Sequence, residues 1–346
     1  MSVNTELMEL AESVFADARG EGGARIDTPT SSDTGFDARL WRTLEETGLA
    51  RLTLSVDAGG SAGSFADAAI VLSAAGAHAA RVPLVENDLQ AGWLLASAGI
   101  PIPDGPLTVA TGDLDIARTH QRASGTLRRV PWARSASVVM LAGDSVLLFD
   151  PAGLSVADGT NVAEEPRDTV TVDGAVTAAS VGDHAGTELR LRGALGRACL
   201  LAGAARGALA ASVRYAGERV QFGRPIGKFQ AVQQQLALAA AEVAAAGAAS
   251  DAAARTADAD GVLGARFAIA AAKARASQAA GEVARIAHQV HGAIGFTREH
   301  DLRLVTTRLW AWRDEDGSEA EWNEVVGTMA LEAGTDGLWP MIVGVP

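Results

Sequence analysis

Apolar positions along the chain change period twice. Leu7, Leu10, Val14 and Phe15 fall at helical spacing, as do Leu40, Leu44 and Leu49, which predicts a helical segment over residues 5–105. Leu107–Ala110, Val138–Leu141 and Ser145–Phe149 are short apolar or β-branched runs parted by Gly, Asp and Pro. Thr169–Asp173 alternates with period two, so residues 106–186 predict a small antiparallel β domain. The helical period returns at Leu189, with helices expected over 191–219, 229–257, 262–292, 301–312 and 318–332. Ala-dominated helices of this kind favour close packing in a bundle. The expected fold is α+β and mostly α: an N-terminal helical domain (1–105), a middle β domain (106–186) and a C-terminal four-helix-type bundle (187–346).

Local signals refine these boundaries. Asp57-Ala-Gly-Gly-Ser-Ala-Gly63 precedes Ser64-x-x-Asp67, a capping box. A glycine cluster before a helix can cradle phosphate, but no strand–helix–strand alternation surrounds this one, so it reads as structural. The helix carrying Trp93, Leu94 and Leu95 is expected to stop at Gly99 and Pro101.

Charge and composition then narrow the function. A chain of 346 residues can bury a sizeable core. The formal net charge of −13 argues against a general nucleic-acid binder. The single Cys199 lies in an apolar helical run, so it reads as a core residue, and no metal site is expected. His120 and His184 fall in polar loops and are expected to be exposed. No basic-then-apolar leader opens the sequence, and its apolar runs hold too much Gly, Arg and Glu for a membrane span. A cytoplasmic protein is expected.

The most informative stretch is Arg219–Gln234, where Gly223 and Pro225 interrupt two apolar helices. By spacing alone it is a solvated loop. Its pattern Arg-x-x-Phe-Gly-x-x-Ile-Gly-x-Phe-Gln-x-Val-Gln, however, resembles the signature of the acyl-CoA dehydrogenase family. A second block, Ala287–Thr297, resembles that family's Gln-x-x-Gly-Gly-x-Gly-Phe segment, and weaker similarity covers nearly all of the chain. Leu309–Glu315 looks most like short actinobacterial members that act on steroid side-chain CoA thioesters.

The resemblance implies an acyl-CoA dehydrogenase-like fold, FAD as cofactor and α,β-dehydrogenation of an acyl-CoA substrate. A carboxylate would take the α proton while hydride leaves the β carbon for flavin N5. It implies electron-transfer flavoprotein or a similar acceptor, and a homo- or hetero-oligomer, expected as a tetramer. By position, Arg219 matches the arginine at the FAD pyrophosphate, Phe222 the aromatic beside the cofactor, and Gln230 the glutamine after the turn. Gln289 and Gly292 match the segment that approaches FAD from a neighbouring subunit. Ala293 replaces the second glycine of that pair, and His291 reads as packing.

Two departures stand out. The family's catalytic glutamate position falls on Asp316, in Asp316-Gly317-Ser318, with Ser318-x-x-Glu321 as a capping box. An Asp-Gly pair is also an ordinary turn. Glu315 is a competing carboxylate expected to point elsewhere, and the family's other base position falls on Gly193, which has none. The flavin-contacting Thr-Glu-Pro-x-Ala-Gly-Ser-Asp stretch survives at best as Val109–Asp113. Three readings follow: an active dehydrogenase with Asp316 as base, a subunit of a heteromeric dehydrogenase whose partner completes the site, and a nitroalkane-oxidase-like flavoprotein.

Overall fold

In the computed structural model, residues 3–22, 35–117, 121–297 and 300–343 are described, and His120 lies outside them. The chain divides into two compact units. One comprises Asp17–Ala68 and Arg81–Gly193, the other Met1–Ala16, Ala69–Ala80 and Ala194–Pro346.

The first unit is built on a sheet of order β1-β4-β5-β7-β3-β2, with β6 added to β7. Its strands are β1 (Leu107–Ala110), β2 (Asp115–Ala117), β3 (Arg122–Pro131), β4 (Ser137–Ala142), β5 (Ser145–Phe149), β6 (Leu154–Ala157) and β7 (Arg167–Ser180). Every pairing is antiparallel, as expected, except β1 with β4, which run parallel from Leu107↔Ser137 to Ala110↔Met140. The sheet is therefore mixed. Both its faces are covered: Val138, Met140 and Leu147 join one apolar cluster, while Val139 and Val146 join another with Leu94, Leu95 and Leu107. Burial on both faces explains why these strands read as continuous apolar runs.

Residues 85–97 supply that second cluster. Val85–Gly92 is a π-helix buried at all eight positions, and it leads into α4 (Trp93–Ser97). Gly99 ends it with φ +65°. Asn87, fully buried, donates to the Ala50 carbonyl at 2.6 Å and accepts from the Leu107 N–H at 2.9 Å. It thereby ties the segment after α2 (Ala38–Glu46) to β1. The glycine loop is structural: the Gly60, Ser61, Ala62 and Gly63 N–H groups all donate to carbonyls of residues 51–55. None is left to hold a phosphate. The Ser64–Asp67 box forms as expected, with reciprocal bonds of 3.0 Å, and opens α3 (Phe65–Ala77).

The second unit is helical. It contains the start of α1 (Val3–Gly22), most of α3, most of α5 (Ala185–Glu218), and α6 (Gln230–Gly264), α7 (Arg266–His291), α8 (Leu302–Trp312) and α9 (Glu319–Val343). Helix α5 begins six residues before its expected start, because a Glu188–Arg192 pair at i,i+4 supports the polar turn there. Gly261 (φ 74°) and Gly334 (φ 64°) kink α6 and α9. Glycines also set the α3–α5 crossing: a Cβ at Gly76 would overlap the Leu200 carbonyl, and one at Gly203 the Ser73 carbonyl. By length and composition α5 and α6 could each cross a membrane, but 78% of the apolar window of α5 is buried inside the protein.

Candidate active site

The α5–α6 junction folds as a two-residue-strand hairpin, β8 (Val220–Gln221) with β9 (Arg224–Pro225). Phe222 sits at its tip in left-handed backbone (φ 51°), followed by Gly223 (φ 78°). Arg219 accepts the Ile226 N–H at its carbonyl, which closes the hairpin and leaves its guanidinium exposed. Phe222 is 93% exposed, and Arg224 lies over the Phe229 ring at 4.3 Å. Gln230 begins α6 on the surface.

Helices α6 and α7 form an antiparallel hairpin whose register is marked by the Glu242–Arg275 ion pair. Carried to the open end, that register sets Gln289 and Gly292 level with the turn around Ile226–Phe229. Arg219, Phe222 and Gln230 thus lie on the α5–α6 connection, and Gln289 and Gly292 at the end of α7 that this register brings level with it. Gln289 is exposed, and Gly292 holds φ 64° with open space where a Cβ would point. An exposed cationic and aromatic surface with a glycine that lets backbone come close fits a dinucleotide. His291 packs: its ring stacks on Tyr215 at 4.4 Å and its Nδ1 bonds the Ala287 carbonyl at 2.8 Å.

Asp316 occupies the turn between α8 and α9, three residues before α9 begins. Its Oδ2 accepts from Arg197 Nε at 2.8 Å, and Glu315 accepts from Arg197 Nη2 at 3.2 Å. Glu315 therefore turns to the same guanidinium rather than away from Asp316. The reason is electrostatic: Arg197, 4% exposed on α5, is a charge that burial leaves in need of partners. The capping box after the turn forms with long reciprocal bonds of 3.4 Å between Ser318 and Glu321.

The turn itself is unusual. Asp316 (φ 53°) and Gly317 (φ 98°) are successive left-handed residues. The Trp322 indole N–H donates to the Asp316 carbonyl at 2.9 Å. Lys273, fully buried on α7, donates to the Gly317 carbonyl at 2.7 Å and the Arg313 carbonyl at 2.9 Å. Burial lowers its ammonium pKa to about 8, with Asp316, Asp314 and Glu315 opposing that drop and Arg197 adding to it.

Neither Arg197 nor Lys273 was singled out by sequence. The available signal was register: Lys273 shares a face with Ile269, Ala270, Ala276, Ser277 and Ala280, all buried. Cys199 is buried, its thiol pushed up to about 12, so it is no nucleophile. His184 is exposed, as expected. Among the described residues no His, Cys, Asp and Glu cluster suits a metal. Thr111–Asp113 is an exposed connection after β1.

Residues 191–319 match the acyl-CoA dehydrogenase C-terminal domain family. Over 325 residues the chain is 30% identical to acyl-CoA dehydrogenase IpdE2 of Mycolicibacterium smegmatis, covering 89% of this chain and 93% of that protein. The chain belongs to the acyl-CoA dehydrogenase family. Its fold matches the ChsE4-ChsE5 complex from Mycobacterium tuberculosis with a TM-score of 0.83 at 24% identity, covering 96% of this chain and 98% of that one. It also matches a Tcur3481-Tcur3483 steroid ACAD variant with a TM-score of 0.81 at 27% identity, covering 95% and 98%. The protein is thus a flavin-dependent oxidoreductase of the acyl-CoA dehydrogenase type, with FAD as the family's cofactor.

Proposed function

We propose that the chain carries out α,β-dehydrogenation of a bulky, steroid-derived acyl-CoA thioester, in an oligomer where a neighbouring chain completes each flavin site. One observation carries this reading: Phe222, at the tip of the β8–β9 hairpin, is 93% exposed, and Arg219, Gln230, Gln289 and Gly292 are exposed as well. An aromatic so exposed at a hairpin tip is suited to meet a surface outside its own chain. Arg219 would hold the pyrophosphate through its fork of donors, and the Gly292 backbone would lie against the dinucleotide. FAD, when bound, supplies the hydride acceptor.

Within this chain Asp316 would take the α proton. Arg197 fixes the direction of its carboxylate and supplies a counter-charge beside it. The oligomer is read as a tetramer in the cytoplasm, passing electrons to electron-transfer flavoprotein or a similar acceptor. A heteromeric assembly is favoured over a homomeric one because the exposed Thr111–Asp113 connection lacks the family's flavin-contacting stretch, and because similar proteins are named as pairs.

The test is the visible spectrum of the chain purified alone and with a co-expressed homologue, before and after anaerobic acyl-CoA. A colourless chain that becomes yellow and bleachable only with the homologue supports the heteromer. A yellow chain that bleaches alone supports the homomer. Bleaching by a nitroalkane and by no acyl-CoA would overturn the proposed reaction.

A further inference from the structure

We infer that Lys273 is a positioning residue, a clamp that sets the backbone of the Asp316 turn and so the aim of its carboxylate. This rests on the reading of Asp316 as base. The ammonium has three donors, and three oxygens receive them: Ser277 Oγ at 3.0 Å, the Arg313 carbonyl at 2.9 Å and the Gly317 carbonyl at 2.7 Å. Arg313 and Gly317 flank the three acidic residues Asp314, Glu315 and Asp316. One side chain from α7 therefore grips both ends of the acidic turn.

The grip matters because the Asp-Gly turn does not by itself fix where the carboxylate points. Asp316 at φ 53° and Gly317 at φ 98° form a left-handed pair that Asp and Gly both tolerate, so the surroundings set its position. Both carbonyls of that pair are captured, Asp316 by Trp322 and Gly317 by Lys273. Arg197 captures the side chain. Backbone and carboxylate are thus fixed from three separate elements, α9, α7 and α5.

Packing alone does not explain a lysine at this position. Methionine would fill a similar volume without the cost of desolvating an ammonium. What the ammonium alone brings is three donors on one atom. Ser277 extends the clamp, since its hydroxyl also donates to the Arg313 carbonyl at 3.2 Å.

The experiment compares wild type, K273M, K273Q and D316N as flavin-loaded proteins, assembled with any partner they need. Two signals are read: emission from Trp322, isolated by subtracting W322F spectra, and the rate of anaerobic flavin reduction by octanoyl-CoA and lithocholyl-CoA. K273M is expected to keep its flavin and its half-saturating thioester concentration, lose about 10- to 100-fold in reduction rate, and shift Trp322 emission. K273Q, with two donors left, is expected to fall between. Wild-type emission and rate in K273M would overturn the clamp. If K273M does not fold, K273Q and S277A decide by the same two signals. If D316N reduces flavin normally, Asp316 is not the base, and Trp322 emission alone then judges whether Lys273 holds the turn.

Discussion

Arg197 and Asp316 meet at 2.8 Å across 119 residues of sequence, and the same guanidinium also holds Glu315. A buried cation is shared here between two adjacent carboxylates. Removing it leaves two acids side by side with no counter-charge from α5. Breaking a buried pair in this way costs roughly 3–5 kcal/mol. Arg197→Met is therefore expected to lower the urea midpoint strongly and Arg197→Lys less, because the ammonium keeps a counter-charge on α5. An equal loss in both variants would mean that the charge alone does not hold the turn.

Gly317 has φ 98°, and a Cβ there would overlap the Trp322 indole nitrogen. Gly317→Ala adds backbone strain and displaces the ring that binds the Asp316 carbonyl. A loss of about 2–4 kcal/mol is expected from those two mechanisms together. Chemical denaturation gives the loss, and Trp322 emission should shift in the folded variant. Unchanged emission would show that the turn absorbs the methyl by moving elsewhere.

The helical half of the fold was legible because Ala, Leu and Val recur at one period over long runs. Its glycine and proline breaks also fell near Phe222, Pro225 and Gly292. The parallel β1–β4 pairing was not legible, since Leu107–Ala110 and Val138–Leu141 look alike in either direction. The π-helix was not legible because Glu86, Asn87, Asp88 and Gln90 are polar types that usually lie at the surface, yet all are buried. Arg197 and Lys273 escaped notice for a related reason. Each lies inside an apolar run, and its partners are 119 and 40–44 positions away. Long-range charge compensation leaves no periodic trace in a single sequence.

Close helix approach yields a prediction in the bundle. Gly203 lies against the Ser73 carbonyl, Gly207 against that of Ala77, and Gly76 against that of Leu200. In each case an added Cβ would overlap backbone, which cannot rotate aside as a side chain could. Gly203→Ala is expected to force α3 and α5 apart and to cost about 3 kcal/mol or more, the upper range for overpacking. Gly217→Ala, on the same helix with open space around it, is the control and should leave the melting temperature unchanged or raised. Equal behaviour of the two variants would contradict the close crossing.

The buried carboxyl of Asp88 gives the clearest dependence on pH. It lies in the π-helix and accepts the Thr53 N–H and hydroxyl at 3.1 Å. Burial is the larger influence and raises its pKa to about 6, while bonds from Thr53 and Leu54 and the charge of Arg192 oppose it. A carboxyl whose folded pKa is raised binds its proton more tightly in the folded state. Below about pH 3.8 both states are protonated, and above pH 6 the folded state carries the full cost of the buried charge. Stability from this group therefore falls as pH rises between those limits, by roughly 3 kcal/mol for a shift of about two units. Asp88→Asn removes the titration, so the stability of wild type minus that of the variant should fall by this amount from pH 4 to pH 7. A difference that stays flat across that range would mean that Thr53, Leu54 and Arg192 fully offset the cost of burial.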